Sequence, residues 1–269
     1  MEEKGLRVRE NITFLILSIS VVVFSSLLFR TLWMQTMEQK EFEDLSWKIE
    51  QIRRENSSRQ GKEPLAGISS NQESWKIQRI ILPEYEELAR CNPDLAGWIR
   101  IEGTGIDYPV MQTIDEREYY LHRNFNEEKS FAGVPFVGTG DLTAENEDVF
   151  IYGHNMKNKT MFAGLLNYQE LEFWKGHPII DLDTLWEHRK YKIFAVFYTT
   201  EDEWCNADGL FYPAVLKTIE EREQYLKQIK EESLYETGIT PDAETIIVFL
   251  VTCSYQRNDG RFVVAGVKI

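Results

Sequence analysis

Eighteen consecutive uncharged residues, Ile12 to Phe29 (ITFLILSISVVVFSSLLF), closed by Arg30, constrain this chain more than any other feature. With Thr31, Leu32, Trp33 and Met34 added, the run can cross a hydrocarbon core of roughly 30 Å as a helix. Trp33 suits the membrane interface, where an amphipathic ring is stable. A cleaved signal peptide has a shorter apolar region ending in a small-residue site, whereas this run ends Leu-Leu-Phe-Arg. The reading favoured is an uncleaved, single-pass anchor over 12–34 in a cell membrane, preceded by a tail over 1–11.

Charge suggests the orientation. Lys4, Arg7 and Arg9 precede the span, while Arg30 and Lys40 follow it, a narrow majority for a cytoplasmic N-terminus under the positive-inside rule. Residues 35–269 carry 26 Lys/Arg against 41 Asp/Glu. So acidic a region is repelled by an anionic cytoplasmic leaflet, which points to an extracellular domain. The whole chain, 269 residues with net charge −14, is 43% hydrophobic. That excludes a disordered chain and argues against a general nucleic-acid binder.

After the anchor, Phe42, Leu45, Ile49 and Ile52 recur at helical spacing. Fewer than three heptads are present, so packing on the domain behind is favoured over a dimerising coiled coil. The expected division is a helical stalk and linker over 35–76 and a catalytic domain over 77–269, opened by a short helix from Pro83 to Arg90. From Gly97 onward, seven apolar, β-branched or aromatic runs follow: 98–101, 106–110, 134–137, 149–152, 191–198, 246–252 and 262–267. Seven or eight short strands over this length predict a mainly β barrel or sandwich. Pro109 and Pro135 suit edges or bulges. Helices are expected over Thr160–Tyr168 and Thr218–Leu234. The second begins with the capping box Thr218-Ile-Glu-Glu221, with Ile219, Tyr225, Ile229 and Leu234 as its buried face.

The chemistry rests on strand ends. There is no G-x-S-x-G elbow, H-E-x-x-H, Walker A or G-x-G-x-x-G motif, and neither a metal nor a cofactor is expected. His122, His177 and His188 sit in charged or turn-like contexts that suit surface or capping roles. His154 follows the strand Val149–Tyr152 and a glycine expected to let the backbone turn. Cys253 ends Ile246–Thr252, and Arg261 follows Asn258-Asp-Gly260 and opens the last strand. These three could converge on one barrel rim, or Cys253 could be a small buried hydrophobe. A thiolate beside an imidazolium and a guanidinium can attack a carbonyl, and the Arg can hold the oxyanion. Cys91 and Cys205 lie near no candidate base.

These residues resemble the sortases, membrane-anchored cysteine transpeptidases of Gram-positive surfaces. The likeness lies in Tyr152-Gly-His154-Asn, in Leu250-Val-Thr-Cys253 with Phe249 before it, in Arg261, and in Gly97-Trp-Ile-Arg-Ile, Asp107-Tyr-Pro-Val-Met-Gln112 and Tyr119-Tyr-Leu-His122. The resemblance implies an eight-stranded β-barrel with N-terminal helices and a helix in the long loop between the sixth and seventh strands. It is strongest to class B, although Gly138–Asn146 lacks the Asp-x-Arg text of that class. It implies catalysis by His154, Cys253 and Arg261, with the backbone N–H after Cys253 helping to hold the oxyanion. Leu121, Thr200 and Trp204 would touch substrate, and Thr252 would support the nucleophile. The implied partners are surface proteins with a C-terminal sorting signal, Asn-Pro-x-Thr-x or Leu-Pro-x-Thr-Gly in type, and a peptidoglycan cross-bridge amine. No apolar tail follows the last strand, so wall anchoring is expected over pilin polymerisation. A cysteine hydrolase and a non-catalytic anchored binding domain are the rivals.

Overall fold

The computed structural model describes residues 2–60, 79–200, 203, 218–256 and 259–269. Trp204, expected to touch substrate, and Cys205 lie outside them. Two compact units are present, Met1–Glu41 and Phe42–Ile269, and helix α1 (Glu2–Gln60) contributes to both.

In the first unit the apolar stretch is helical and exposed along its length, Phe14 and Phe29 at 77% and 67%. Four of its hydroxyls are satisfied internally. The Ser18, Ser20, Thr31 and Thr36 hydroxyls each donate to the carbonyl four residues earlier at 2.8–3.0 Å. Such back-bonding pairs these four hydroxyls in an apolar surround. Length and composition make this the one helix among the described residues able to cross a membrane.

The second unit is a closed eight-stranded barrel with strand order β1-β2-β3-β4-β7-β8-β6-β5. The strands are β1 (Leu95–Arg100), β2 (Asp107–Met111), β3 (Phe136–Thr139), β4 (Val149–Tyr152), β5 (Ile179–Thr184), β6 (Lys190–Thr200), β7 (Ile247–Cys253) and β8 (Gly260–Lys268). Six of the eight seams are antiparallel; β4 and β7 run parallel, and β2 and β3 meet through the single parallel pair Met111–Phe136. Pro109 lies in β2 beside that sparsely bonded seam, where a missing N–H costs little.

β7 reads as an unbroken apolar run because both of its faces are buried. Val248 and Leu250 face the main core, while Ile247, Phe249 and Val251 face a second layer. Helix α4 (Ile219–Glu232) covers that second layer with Tyr225, Leu226 and Ile229. Its capping box forms as expected, Thr218 Oγ1 accepting from Glu221 N at 3.1 Å and Glu221 Oε2 from Thr218 N at 3.2 Å. Its buried face differs at the ends: Ile219 and Leu234 are exposed and Leu226 is buried.

The second half of α1 packs within this unit, as its periodicity predicted. Phe42 and Ile49 are buried, and the Phe42 ring meets Tyr108 edge-on at 5.3 Å. Polar contacts fix the register. Ser46 bonds Asp107, and Arg53 reaches Glu84 (3.2 Å), Tyr85 Oη (2.5 Å) and Asp183. Helix α2 (Glu86–Cys91) follows a turn at Pro83 rather than starting there. Residues 162–169 form a 3-10 helix (Phe162–Gln169) and α3 is Leu171–Gly176.

Candidate active site

Strand directions assemble the site. β4 and β7 are parallel, so their C-terminal ends, Tyr152 and Cys253, share one rim. β8 runs antiparallel to β7 and β6 antiparallel to β8, which brings the start of β8 and the end of β6 to the same rim. His154, Cys253, Arg261 and Thr200 therefore gather there, three of them at the positions the strand-end reading predicted.

Pleat parity places the reactive pair on a face. Cys253 continues the alternate set Ile247, Phe249 and Val251, and Arg261 the set Val263 and Ala265. Both belong to the outer face of the barrel, on the side covered further along by α4. Cys253 and Arg261 are paired directly, and Arg261 also pairs with Thr199 of β6. The Arg261 guanidinium donates to the carbonyls of Asp259 and Gly260, each at 3.3 Å. Asp259 has φ of 53°, so a left-handed turn launches β8.

The His154 segment is tied to the Cys253 segment by side chains. Thr252 is buried and its Oγ1 donates to Gly153 O at 2.7 Å. Asn155 Nδ2 donates to the Cys253 carbonyl at 2.9 Å, and Tyr255 Oη donates to Asn155 O at 3.0 Å. Gly153 earns its place through packing rather than a turn conformation, since a Cβ there would lie 2.6 Å from the Phe162 ring. Asn155 and Tyr255 were not singled out from the sequence. A polar residue next to a candidate histidine was the available signal.

His154 is half-buried, with Nε2 2.9 Å from the carbonyl oxygen of Leu121. A carbonyl accepts only, so Nε2 carries the hydrogen and Nδ1 is left as the basic nitrogen. Burial pushes the His154 pKa below the ordinary imidazole value. The Leu121 carbonyl opposes this, and His122 adds to the lowering. Leu121 thus meets the site through its main chain, while its side chain packs partly buried against the core.

One expectation changes. The N–H of Ser254, expected to help hold an oxyanion, already donates to Gly260 O at 2.8 Å. Thr200 exchanges hydrogen bonds with Glu203, its N donating to Oε2 at 3.0 Å and its Oγ1 accepting from Glu203 N at 3.3 Å. Of the other histidines, His177 caps α3 as expected. His188, itself exposed, pairs with the buried carboxylates of Asp183 and Glu84, and His122 stacks on His154. Cys91 is exposed in α2. Among the described residues, no three His, Cys, Asp or Glu side chains are grouped to hold a metal.

The chain is similar to known proteins. A sortase-domain family model matches residues 99–269. Sortase B of Listeria monocytogenes is 30% identical over 227 residues, covering 82% of this chain and 89% of that protein. Sortase B of Staphylococcus aureus is 28% identical, covering 71% and 77%. Among solved structures, Clostridium perfringens sortase B superposes with a TM-score of 0.61 at 34% identity, covering 68% of this chain and 98% of that one. A substrate complex of S. aureus sortase B shares the fold, with TM-score 0.70, 24% identity and coverage of 88% and 98%.

The chain belongs to the sortase family, whose members are cysteine transpeptidases. Within the family it is class B-like: its curated relatives and structural neighbours above are all class B enzymes.

Proposed function

We propose that this sortase cleaves a C-terminal sorting signal after Thr and transfers the protein to an amine of cell-wall peptidoglycan. The observation that carries the reading is the pairing of Cys253 with Arg261 at the end of a strand parallel to the one leading into His154.

In this mechanism the Cys253 thiolate attacks the Thr carbonyl carbon, and the carbonyl π electrons move onto oxygen. Arg261, a planar donor on the same face, holds that oxyanion. It carries this role without Ser254, whose N–H is engaged in the strand ladder. His154, protonated on both nitrogens, keeps Nε2–H on the Leu121 carbonyl and gives the Nδ1 proton to the departing amine as the C–N bond breaks. The product is a thioester on Cys253. An incoming amine attacks it and loses a proton to His154 Nδ1. The C–S bond then breaks and the thiolate returns.

The remaining roles follow the same reading. Thr252 supports the nucleophile's strand end, and Leu121, Thr200 and Trp204 wall the substrate groove. Class B membership favours Asn-Pro-x-Thr-x signals over Leu-Pro-x-Thr-Gly. The chain is organised as tail (1–11), membrane anchor (12–34), stalk and linker (35–76) and catalytic domain (77–269), with the N-terminus cytoplasmic and the catalytic domain outside the cell. The exposed apolar helix, with the Ser18, Ser20, Thr31 and Thr36 hydroxyls bonded to its own carbonyls, supports the anchor. The test is peptide cleavage with and without an oligoglycine or diaminopimelate-type amine. Amine-dependent exchange supports transpeptidation, and product released only to water points to a hydrolase.

A further inference from the structure

A second imidazole lies on the first. The His122 and His154 rings stack with centroids 5.5 Å apart and planes inclined by 23°. His122 ends the 3-10 turn Tyr119–His122, whose preceding residue, Leu121, supplies the carbonyl that binds His154 Nε2. Two adjacent residues of one turn therefore grip the same ring, one at its edge and one on its face.

The turn is built to hold that position. Tyr120 is buried, and its hydroxyl donates to Asp94 at 2.9 Å while accepting from Asn92 Nδ2 at 2.8 Å. Two main-chain bonds tie the turn to the segment that returns toward β3, Ser130 N to His122 O at 3.0 Å and Val134 N to Tyr120 O at 3.1 Å. His122 itself is exposed, so its ring is placed by this frame rather than by burial.

Arg123, Glu127 and Glu128 in the frame have partners of their own. Arg123 sits 4.4 Å over the Tyr119 ring and donates to Glu127 O at 3.2 Å. Glu127 accepts from Tyr119 Oη at 3.1 Å, and Glu128 accepts from Asn124 at 3.4 Å. The exposed Lys129 meets Arg123 through an isolated main-chain β-bridge. From the end of β4 the facing group is His154.

We propose that His122 is a positioning residue for His154: its stacked ring holds the reactive imidazole edge-on to the Leu121 carbonyl and so fixes which nitrogen is free for chemistry. Two consequences follow. Removing the ring frees His154 to turn and mixes its tautomers. Removing only the charge keeps the geometry but makes His154 easier to protonate, because two imidazolium rings at this spacing repel. The repulsion agrees with the direction in which His122 moves His154. The inference rests on His154 being the acid and base of the exchange.

The test uses the full-length chain in detergent micelles with ¹⁵N-labelled histidine, following the His154 ring nitrogens by NMR through a pH titration. His122→Phe should keep the Nε2–H tautomer and raise the His154 midpoint by about half a pH unit. His122→Ala should raise the midpoint and also mix the tautomers. In an amine-exchange assay on Asn-Pro-x-Thr-x peptides, His122→Ala should lower kcat by about tenfold with KM unchanged, and His122→Phe should restore it. A His122→Ala variant with an unchanged His154 midpoint and tautomer would overturn the proposal. A different result separates the underlying reading: exchange that survives His154→Ala removes the acid–base role of His154, and leaves the NMR outcome to judge the stack alone.

Discussion

Cys253 and Arg261 stand directly opposite one another across the antiparallel β7–β8 ladder. Directly opposed residues project from the same face with Cβ atoms about 4.5–5.5 Å apart, so the thiol and the guanidinium share one surface by register alone. A one-residue slip of β8 would send Arg261 to the other face. The long ladder between β6 and β8, from Tyr191–Lys268 to Thr200–Gly260, guards against that slip.

Replacement of Arg261 tests this pairing. Arg261→Ala should lower kcat/KM by about 10²–10³, the effect of losing one oxyanion donor. Arg261→Lys should recover little, because an ammonium lacks the planar fork. The side chain is half-exposed, so thermal unfolding should move little, within about 0.5 kcal/mol. Steady-state kinetics and a thermal melt of the same samples separate the two effects.

Asn155 joins the two catalytic segments. Asn155→Ala removes the donor to the Cys253 carbonyl and should cost about 1–2 kcal/mol in denaturant unfolding, with a loss of exchange activity larger than that of Tyr255→Phe. Tyr255 bonds the Asn155 main chain from an exposed position, so its loss should be milder.

Gly133 protects the Leu121 carbonyl. Its φ is +60°, and a Cβ there would sit 2.4 Å from Leu121 O. Gly133→Ala should therefore displace the acceptor of His154 Nε2 and add backbone strain of about 1–3 kcal/mol. Exchange activity should fall together with the Nε2–H tautomer signal of His154.

A pH-dependent tie joins the second half of α1 to β5. Asp183 is buried, which alone raises its pKa. Hydrogen bonds from His188 and Tyr85, with Arg53 nearby, outweigh burial and hold it below the ordinary carboxylate value of 3.8. His188 is raised above 6.5, first by its bond to Asp183. The Asp183 contribution is present above its unfolded pKa and lost as pH falls through the lowered folded value. The His188 contribution is complete below its unfolded pKa and lost as pH rises through the raised folded value. The cluster should thus stabilise most between pH 3.8 and 6.5. Asp183→Asn should flatten that part of a stability-versus-pH curve measured by thermal melts.

The barrel was largely legible because its strands are short, β-branched and punctuated by turns. Seven runs were apparent, and β5 was not. Its residues Ile179–Thr184 place Asp181 and Asp183 among the apolar positions, and Asp183 is buried by partners from α1 and the 184–189 turn that no local pattern reveals. The ends of α4 misled for a related reason: Ile219 and Leu234 lie beyond the part of the helix that the sheet covers, and only tertiary packing decides that limit. At the site, strand-end positions made His154, Cys253 and Arg261 visible. The Leu121 carbonyl and the His122 stack were hidden, because a main-chain acceptor has no residue signature and the stack spans a separation of 32 residues.

The most direct test of the proposed chemistry is mass spectrometry of the enzyme mixed with Asn-Pro-x-Thr-x and Leu-Pro-x-Thr-Gly peptides, with and without an oligoglycine or diaminopimelate-type amine. The expected result is a thioacyl adduct on Cys253, an amine-exchanged product, preference for the Asn-Pro series, and loss of both species in Cys253→Ala. Intact peptides in every mixture with Cys253 unmodified, or exchange that persists in Cys253→Ala, would contradict the assignment of Cys253 as the nucleophile for these signals.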